Sequence, residues 1–318
     1  MKNSDSKSNY RKKDKRIYVV IFGICIFLIV VAICILAWVL KKPDADSREE
    51  STIYAEGELC TENSMDSEEI VSEEESAAQE ENVSEQNVES VTEQRQKIID
   101  AWETIPAGTV VESANVDLER VDCYFVSYEI SEEIFNIING KSYQENPYVK
   151  LEDLRYMKVL HYNFEHELQV GELIVATDLQ DDFINIFKEL FQAEYEIQSL
   201  YLIDNYWTGD PTDTDTASID ENNSSCFMYR PATGSSKLSN HSYGRAIDIN
   251  PQQNPYVSYR TGEPVWYHEN ANDYIDRDTG LAHVITQEDI CYQIFIKYGF
   301  SWGGSWNTVK DYQHFEKE

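Results

Sequence analysis

The chain has 318 residues, is 42% hydrophobic and 12% aromatic, and carries a formal net charge of −32. The charge is segregated: residues 1–42 hold a net of +7, residues 43–94 a net of −17, and residues 95–318 the remaining −22. An acidic domain of that size repels nucleic-acid phosphates and anionic lipid headgroups, which excludes both as partners of its surface.

Residues 1–16 form a basic tail, and 17–40 (IYVVIFGICIFLIVVAICILAWVL) follow with no charged side chain. As a helix this run reaches about 36 Å, enough to cross a bilayer core with some tilt. Arg11, Lys12, Lys13, Lys15 and Arg16 precede it, which favours a cytoplasmic N-terminus. The run is longer than a typical signal-peptide core and no small-x-small cleavage site follows, so the expectation is an uncleaved signal anchor. Everything after Leu40 is then extracytoplasmic, where disulfides can form. Cys60, Cys123, Cys226 and Cys291 match no CxxC metal spacing, and both free thiols and a disulfide stay open.

Residues 41–94 are rich in Glu and Ser and poor in aromatics. Such a segment cannot bury enough apolar surface to offset its ordering entropy, so an acidic disordered linker is expected, spanning roughly 40 Å as a coil.

One globular domain is expected over 95–318. Gln94–Thr104 has apolar residues at helical spacing and stops before Pro106. Val121–Tyr128 reads as a strand, and Ser131 as the cap of a short helix ending at Gly140. Strands are expected at Tyr156–Phe164, Glu172–Thr177 and Ile197–Leu202, with an amphipathic helix at Asp181–Phe191 between the last two. Glu288–Tyr298 is a further helix, ended by Gly299. Helices mixed with short strands, without regular βαβ repetition, predict an α+β fold.

The chemistry concentrates in two blocks. Ser239-Asn240-His241-Ser242-Tyr243-Gly244-Arg245-Ala246-Ile247-Asp248 and Asp311-Tyr312-Gln313-His314 together supply two imidazoles, a carboxylate ligand and a second carboxylate. That is the inventory of a catalytic zinc site with an open position for water and a general base beside it. The spacing of His241 and Asp248 is wrong for one helix face; a loop turning into a strand would present both to one point. The same ligand types also suit a non-haem iron triad, whose His and carboxylate usually stand closer in sequence. His161, His166, His268 and His283 belong to no such pattern.

These blocks, with Gly171-Glu172-Leu173, Ile203-Asp204-Asn205, Asn222 to Arg230, Asn254-Pro255-Tyr256 and Trp302 to Trp306, resemble the zinc D-alanyl-D-alanine carboxypeptidase family. That family comprises the vancomycin-resistance-type peptidases and related endolysins, with the hedgehog/D,D-peptidase fold. The resemblance covers most of 150–318. It implies one Zn2+ held by His241, Asp248 and His314, Asp311 as the catalytic carboxylate, and Arg230 as the arginine facing the substrate carbonyl. It also implies a peptidoglycan stem peptide as substrate. Met228-Tyr229-Arg230-Pro231 departs from the Gly-Tyr-Arg-Ser block of many D-Ala-D-Ala-cleaving members. The bond cleaved is therefore open between D,D-carboxypeptidase and L,D- or D,D-endopeptidase. A non-catalytic wall-binding module is a further alternative, disfavoured because binding alone would not need Asp311. Ser239 and Glu316 are candidates for holding ligand tautomers, and Tyr243, Trp302 and Trp306 for lining a substrate groove. The sequence leaves the oligomeric state unassigned.

Overall fold

The computed structural model describes residues 90–318. The expected tail, anchor and most of the linker lie outside the described residues, as does Cys60. Among the described residues, no helix is long and apolar enough to cross a membrane.

The chain enters as helix α1 (90–104), already helical four residues ahead of Gln94. Its Trp102 is buried, and the ammonium of buried Lys158 donates to the helix's last carbonyls, those of Trp102 and Glu103 at 2.9 Å, and to that of Ile105 just beyond it. A cation at a helix C-terminus satisfies carbonyls that have no intrahelical donor.

The larger sheet has the order β1 (Val110–Val111), β4 (Leu168–Ala176), β3 (Leu154–Tyr162), β2 (Phe125–Tyr128), antiparallel throughout. Between β2 and β3 lies helix α2 (Glu132–Ile138), capped by the Ser131 hydroxyl as expected. Helix α3 (Gln180–Gln192) packs on β2 and β3. It buries Phe183, Ile186, Phe187, Leu190 and Phe191, a stripe at the i, i+3, i+4, i+7, i+8 spacing that a single helix face requires. Helix α4 (Pro211–Asp220) follows, and α5 (Ile290–Lys297) packs on α3. Gly299 ends α5 at φ 81°, the left-handed position that favours glycine.

Two smaller antiparallel sheets complete the α+β fold. One orders β5 (Ala246–Asp248), β9 (His314–Glu316) and β7 (Ser301–Trp302); the other pairs β6 (Tyr256–Ser258) with β8 (Val309–Asp311). The turn before β5 docks on the main sheet, where Ala176 N–H donates to the Gly244 carbonyl at 2.9 Å. A Cβ on Gly244 would fall 2.6 Å from Ala176 N, and its φ is 65°, so a side chain here would push the turn off β4.

Two sequence expectations change. Val121–Tyr124 is the end of a 3-10 turn (Leu118–Tyr124) capped by Asp117, and only Phe125–Tyr128 is strand. Ile197–Leu202 is extended but joins no sheet; it pairs irregularly, through Glu172 N–H to the Leu200 carbonyl and Ser224 N–H to the Ser199 carbonyl. Cys123, Cys226 and Cys291 are buried free thiols.

Candidate metal centre

His241 sits in a 3-10 turn (Asn240–Tyr243) whose first backbone N–H groups are capped by Ser239, the Ser239 hydroxyl accepting from His241 N–H at 3.3 Å. Asp248 ends β5. The antiparallel register of β5 with β9 makes Asp248 and His314 direct cross-strand partners, although 66 residues separate them. The expected loop-then-strand presentation of His241 and Asp248 is what the structure contains.

The three side chains converge. His241 Nε2 lies 3.3 Å from Asp248 Oδ2, His314 Nδ1 lies 3.1 Å from Asp248 Oδ1, and the two ring nitrogens are 3.2 Å apart. All three residues are buried. Donor atoms on a tetrahedral zinc with bonds of ~2.0–2.1 Å stand roughly 3.3 Å apart, so these spacings fit that ion.

Outer contacts orient each ring. His241 Nδ1–H donates to the Cys226 carbonyl at 2.5 Å, which leaves Nε2 facing the centre. Cys226 is delivered there because Ser225 bridges Asp248 in antiparallel fashion. His314 Nε2 meets Glu316 Oε2 at 3.1 Å, leaving Nδ1 inward, and Asn240 Nδ2–H donates to the same Glu316 oxygen at 2.7 Å. Such outer contacts fix tautomer and ring angle in metal sites. Glu316 thus contacts the His314 ring. Ser239 holds the His241 backbone rather than its ring, and the carbonyl that fixes the His241 tautomer carries no side-chain signature in the sequence.

Asp311 ends β8, opposite Tyr256 of β6. Among the described residues its Oδ1 is buried without any hydrogen-bond partner, and burial pushes its pKa up to about 7, with His314 opposing and Asp248 and Asp215 adding to the rise. The 303–305 turn closes over it: a Cβ on Gly303 would meet the Asp311 carbonyl at 2.6 Å. An orphaned buried carboxylate beside a nitrogen–nitrogen–oxygen donor set is what a metal-assisted hydrolytic site would need.

Arg230 is also buried, and Asp215 of α4 holds it by an ion pair of 2.7 Å, while its Nε has no partner among the described residues. Both residues line a cleft of about 880 Å³ that reaches His241, Asp248, Asp311 and His314. Sequence reasoning missed Asp215 along with α4. Of the expected groove residues, Trp306 lines the cleft, its ring centroid 5.5 Å from that of His314. Tyr243 and Trp302 do not. Tyr243 packs on the apolar cluster of Ile174 and Phe227, and Trp302 is buried among Tyr292, Tyr312 and Phe315, its indole N–H donating to the Tyr312 carbonyl at 2.8 Å.

The remaining histidines lie outside this centre. Burial pushes His161 down to about 4. His166 and His283 both contact the Glu196 carboxylate, and His268 pairs with Asp220.

Residues 233–317 match the family model described as D-alanyl-D-alanine carboxypeptidase. The matched stretch holds His241, Asp248, Asp311 and His314; Asp215 and Arg230 stand ahead of it. The match bears out the resemblance carried by the motifs: residues 233–317 are similar to the D-alanyl-D-alanine carboxypeptidase family. No curated protein and no solved structure matches the chain.

Proposed function

We propose that the chain is a membrane-anchored, zinc-dependent D-alanyl-D-alanine carboxypeptidase that trims peptidoglycan stem peptides outside the cell. The observation that carries the reading is the meeting of three buried metal-donor atoms with the unpartnered carboxylate of Asp311 on the wall of an open cleft. Its layout is a cytoplasmic tail (1–16), an anchor (17–40), an acidic linker (41–94) and a catalytic domain (95–318).

Zinc held by His241, Asp248 and His314 would supply a Lewis acid that acidifies water and polarises a carbonyl. Asp311 accepts the proton of the attacking water and returns it to the leaving amine, a role that suits a carboxyl raised by burial toward neutral pH. Arg230, preorganised by Asp215, faces the oxygen on which negative charge develops. Cys226 and Glu316 keep the ring nitrogens aimed inward throughout.

Metal analysis of the full-length chain purified in detergent tests the ligand set. One zinc per chain, lost in His241→Ala, is expected; full zinc retention in His241→Ala would remove the assignment. Protease added to intact cells should degrade the domain, and protection from it would contradict the orientation.

A further inference from the structure

Arg260 stands apart from the other arginines among the described residues. Of the seven arginines among the described residues, six are engaged: Arg95, Arg120, Arg230 and Arg245 with carboxylates, Arg155 and Arg277 with backbone carbonyls. The guanidinium of Arg260 has no hydrogen-bond or ion-pair partner among those residues, in a domain where acids outnumber bases more than twofold. It is exposed, and it lines the same cleft as the metal centre.

Its position follows from the register. Tyr256 of β6 lies opposite Asp311, and the strand continues through Ser258 into a hairpin turn closed by Gly262 N–H to the Tyr259 carbonyl, with Arg260 at the first corner. Arg260 thus stands on the wall that carries the partner strand of Asp311, on the order of 10 Å further along at ~3.3 Å per residue. Burial pushes the Tyr256 phenol up and the Arg260 guanidinium pulls it back, which puts that charge within electrostatic reach of Tyr256.

Apart from Asp311, which faces the metal centre, the cleft's other acidic groups are satisfied internally. Asp215 is taken by Arg230, Asp220 by His268, Asp248 by the two site histidines and Glu316 by His314 and Asn240. A guanidinium fork matches a carboxylate in two parallel hydrogen bonds. We propose that Arg260 is a specificity residue that binds a carboxylate of the peptide substrate, either its C-terminal carboxylate or that of an acidic residue within the stem. This rests on the peptidase reading of the cleft.

The test separates the two. Calorimetry on the full-length, zinc-loaded Asp311→Asn chain gives peptide affinity without turnover. The probes are L-Ala-γ-D-Glu-L-Lys-D-Ala-D-Ala, its C-terminal amide, its glutamate amide and the doubly amidated peptide. Adding Arg260→Gln should weaken binding of the unmodified peptide about tenfold, the scale of one charge-assisted contact, with Arg260→Lys in between. The single amide that removes this dependence names the carboxylate. An equal Kd with and without Arg260→Gln, or an equal loss for the doubly amidated peptide, overturns the proposal. The peptidase reading fails separately, if the wild-type chain cleaves none of these peptides.

Discussion

Arg230 reaches across the cleft to Asp215 at 2.7 Å, joining the segment before the His241 motif to helix α4. Both partners are largely removed from solvent, so deleting one strands the other's charge in a poorly solvated place. Asp215→Ala should cost roughly 3 kcal/mol of stability, toward the lower end for a broken buried pair. Asp215→Asn, which keeps the shape, should lower kcat by about tenfold with zinc retained. Thermal melts and metal content measured together check both; unchanged kcat in Asp215→Asn would remove Asp215 from the positioning of Arg230.

Asp311→Asn should keep the metal, because Asp311 is not among the three converging donors. It should lose at least ~100-fold in kcat, the scale of general-base loss. Steady-state kinetics beside zinc content decides this.

The metal-free protein offers a pH test of the same residue. Burial raises the folded pKa of Asp311 from 3.8 to about 7, so between those values the folded state binds a proton that the unfolded chain releases. Its stabilising contribution is present below about pH 4 and lost as pH rises through about 7. Metal-free Asp311→Asn should therefore melt several degrees above metal-free wild type at pH 8, with the gap closing at pH 5. A gap independent of pH would contradict the raised pKa.

Much of the domain was legible because its signals are local. The stripe from Phe183 to Phe191 has one period, and Ser131 and Gly299 are end markers with a steric or hydrogen-bonding reason. Helix α4 was illegible for the opposite reason: its buried residues are Thr214 and Ser218, so it has no apolar stripe. Only the Asp210-Pro211 start, a cap followed by proline at the first turn, announces it. The pairing of Asp248 with His314 and the Cys226 carbonyl on His241 depend on strand register between distant segments, which no window of sequence contains. Aromatic residues beside the motif were a poor guide, since Tyr243 and Trp302 fill cores while Trp306 alone of the three reaches the cleft.

Glu316→Gln should weaken zinc affinity by about 10-fold or more, because Glu316 orients His314 through Nε2. Competition with a chromogenic chelator reads this directly, and an unchanged affinity would reduce Glu316 to a bystander.

Zinc binding should release a proton. Burial opposes the imidazolium of His314, yet its contacts with Asp248 and Glu316 hold its pKa up to about 10, so it is charged at neutral pH without metal. Calorimetry in buffers of different ionisation enthalpy should find about one proton released per zinc at pH 7, and an apparent affinity that falls with falling pH.

The most direct test of the peptidase reading is the mass of the products formed from a stem pentapeptide ending in D-alanyl-D-alanine by the zinc-loaded full-length chain. The arrangement of His241, Asp248, His314 and Asp311 predicts the tetrapeptide and free D-alanine, with neither formed by Asp311→Asn. An intact pentapeptide would contradict it, and fragments cut within the stem would replace carboxypeptidase with endopeptidase.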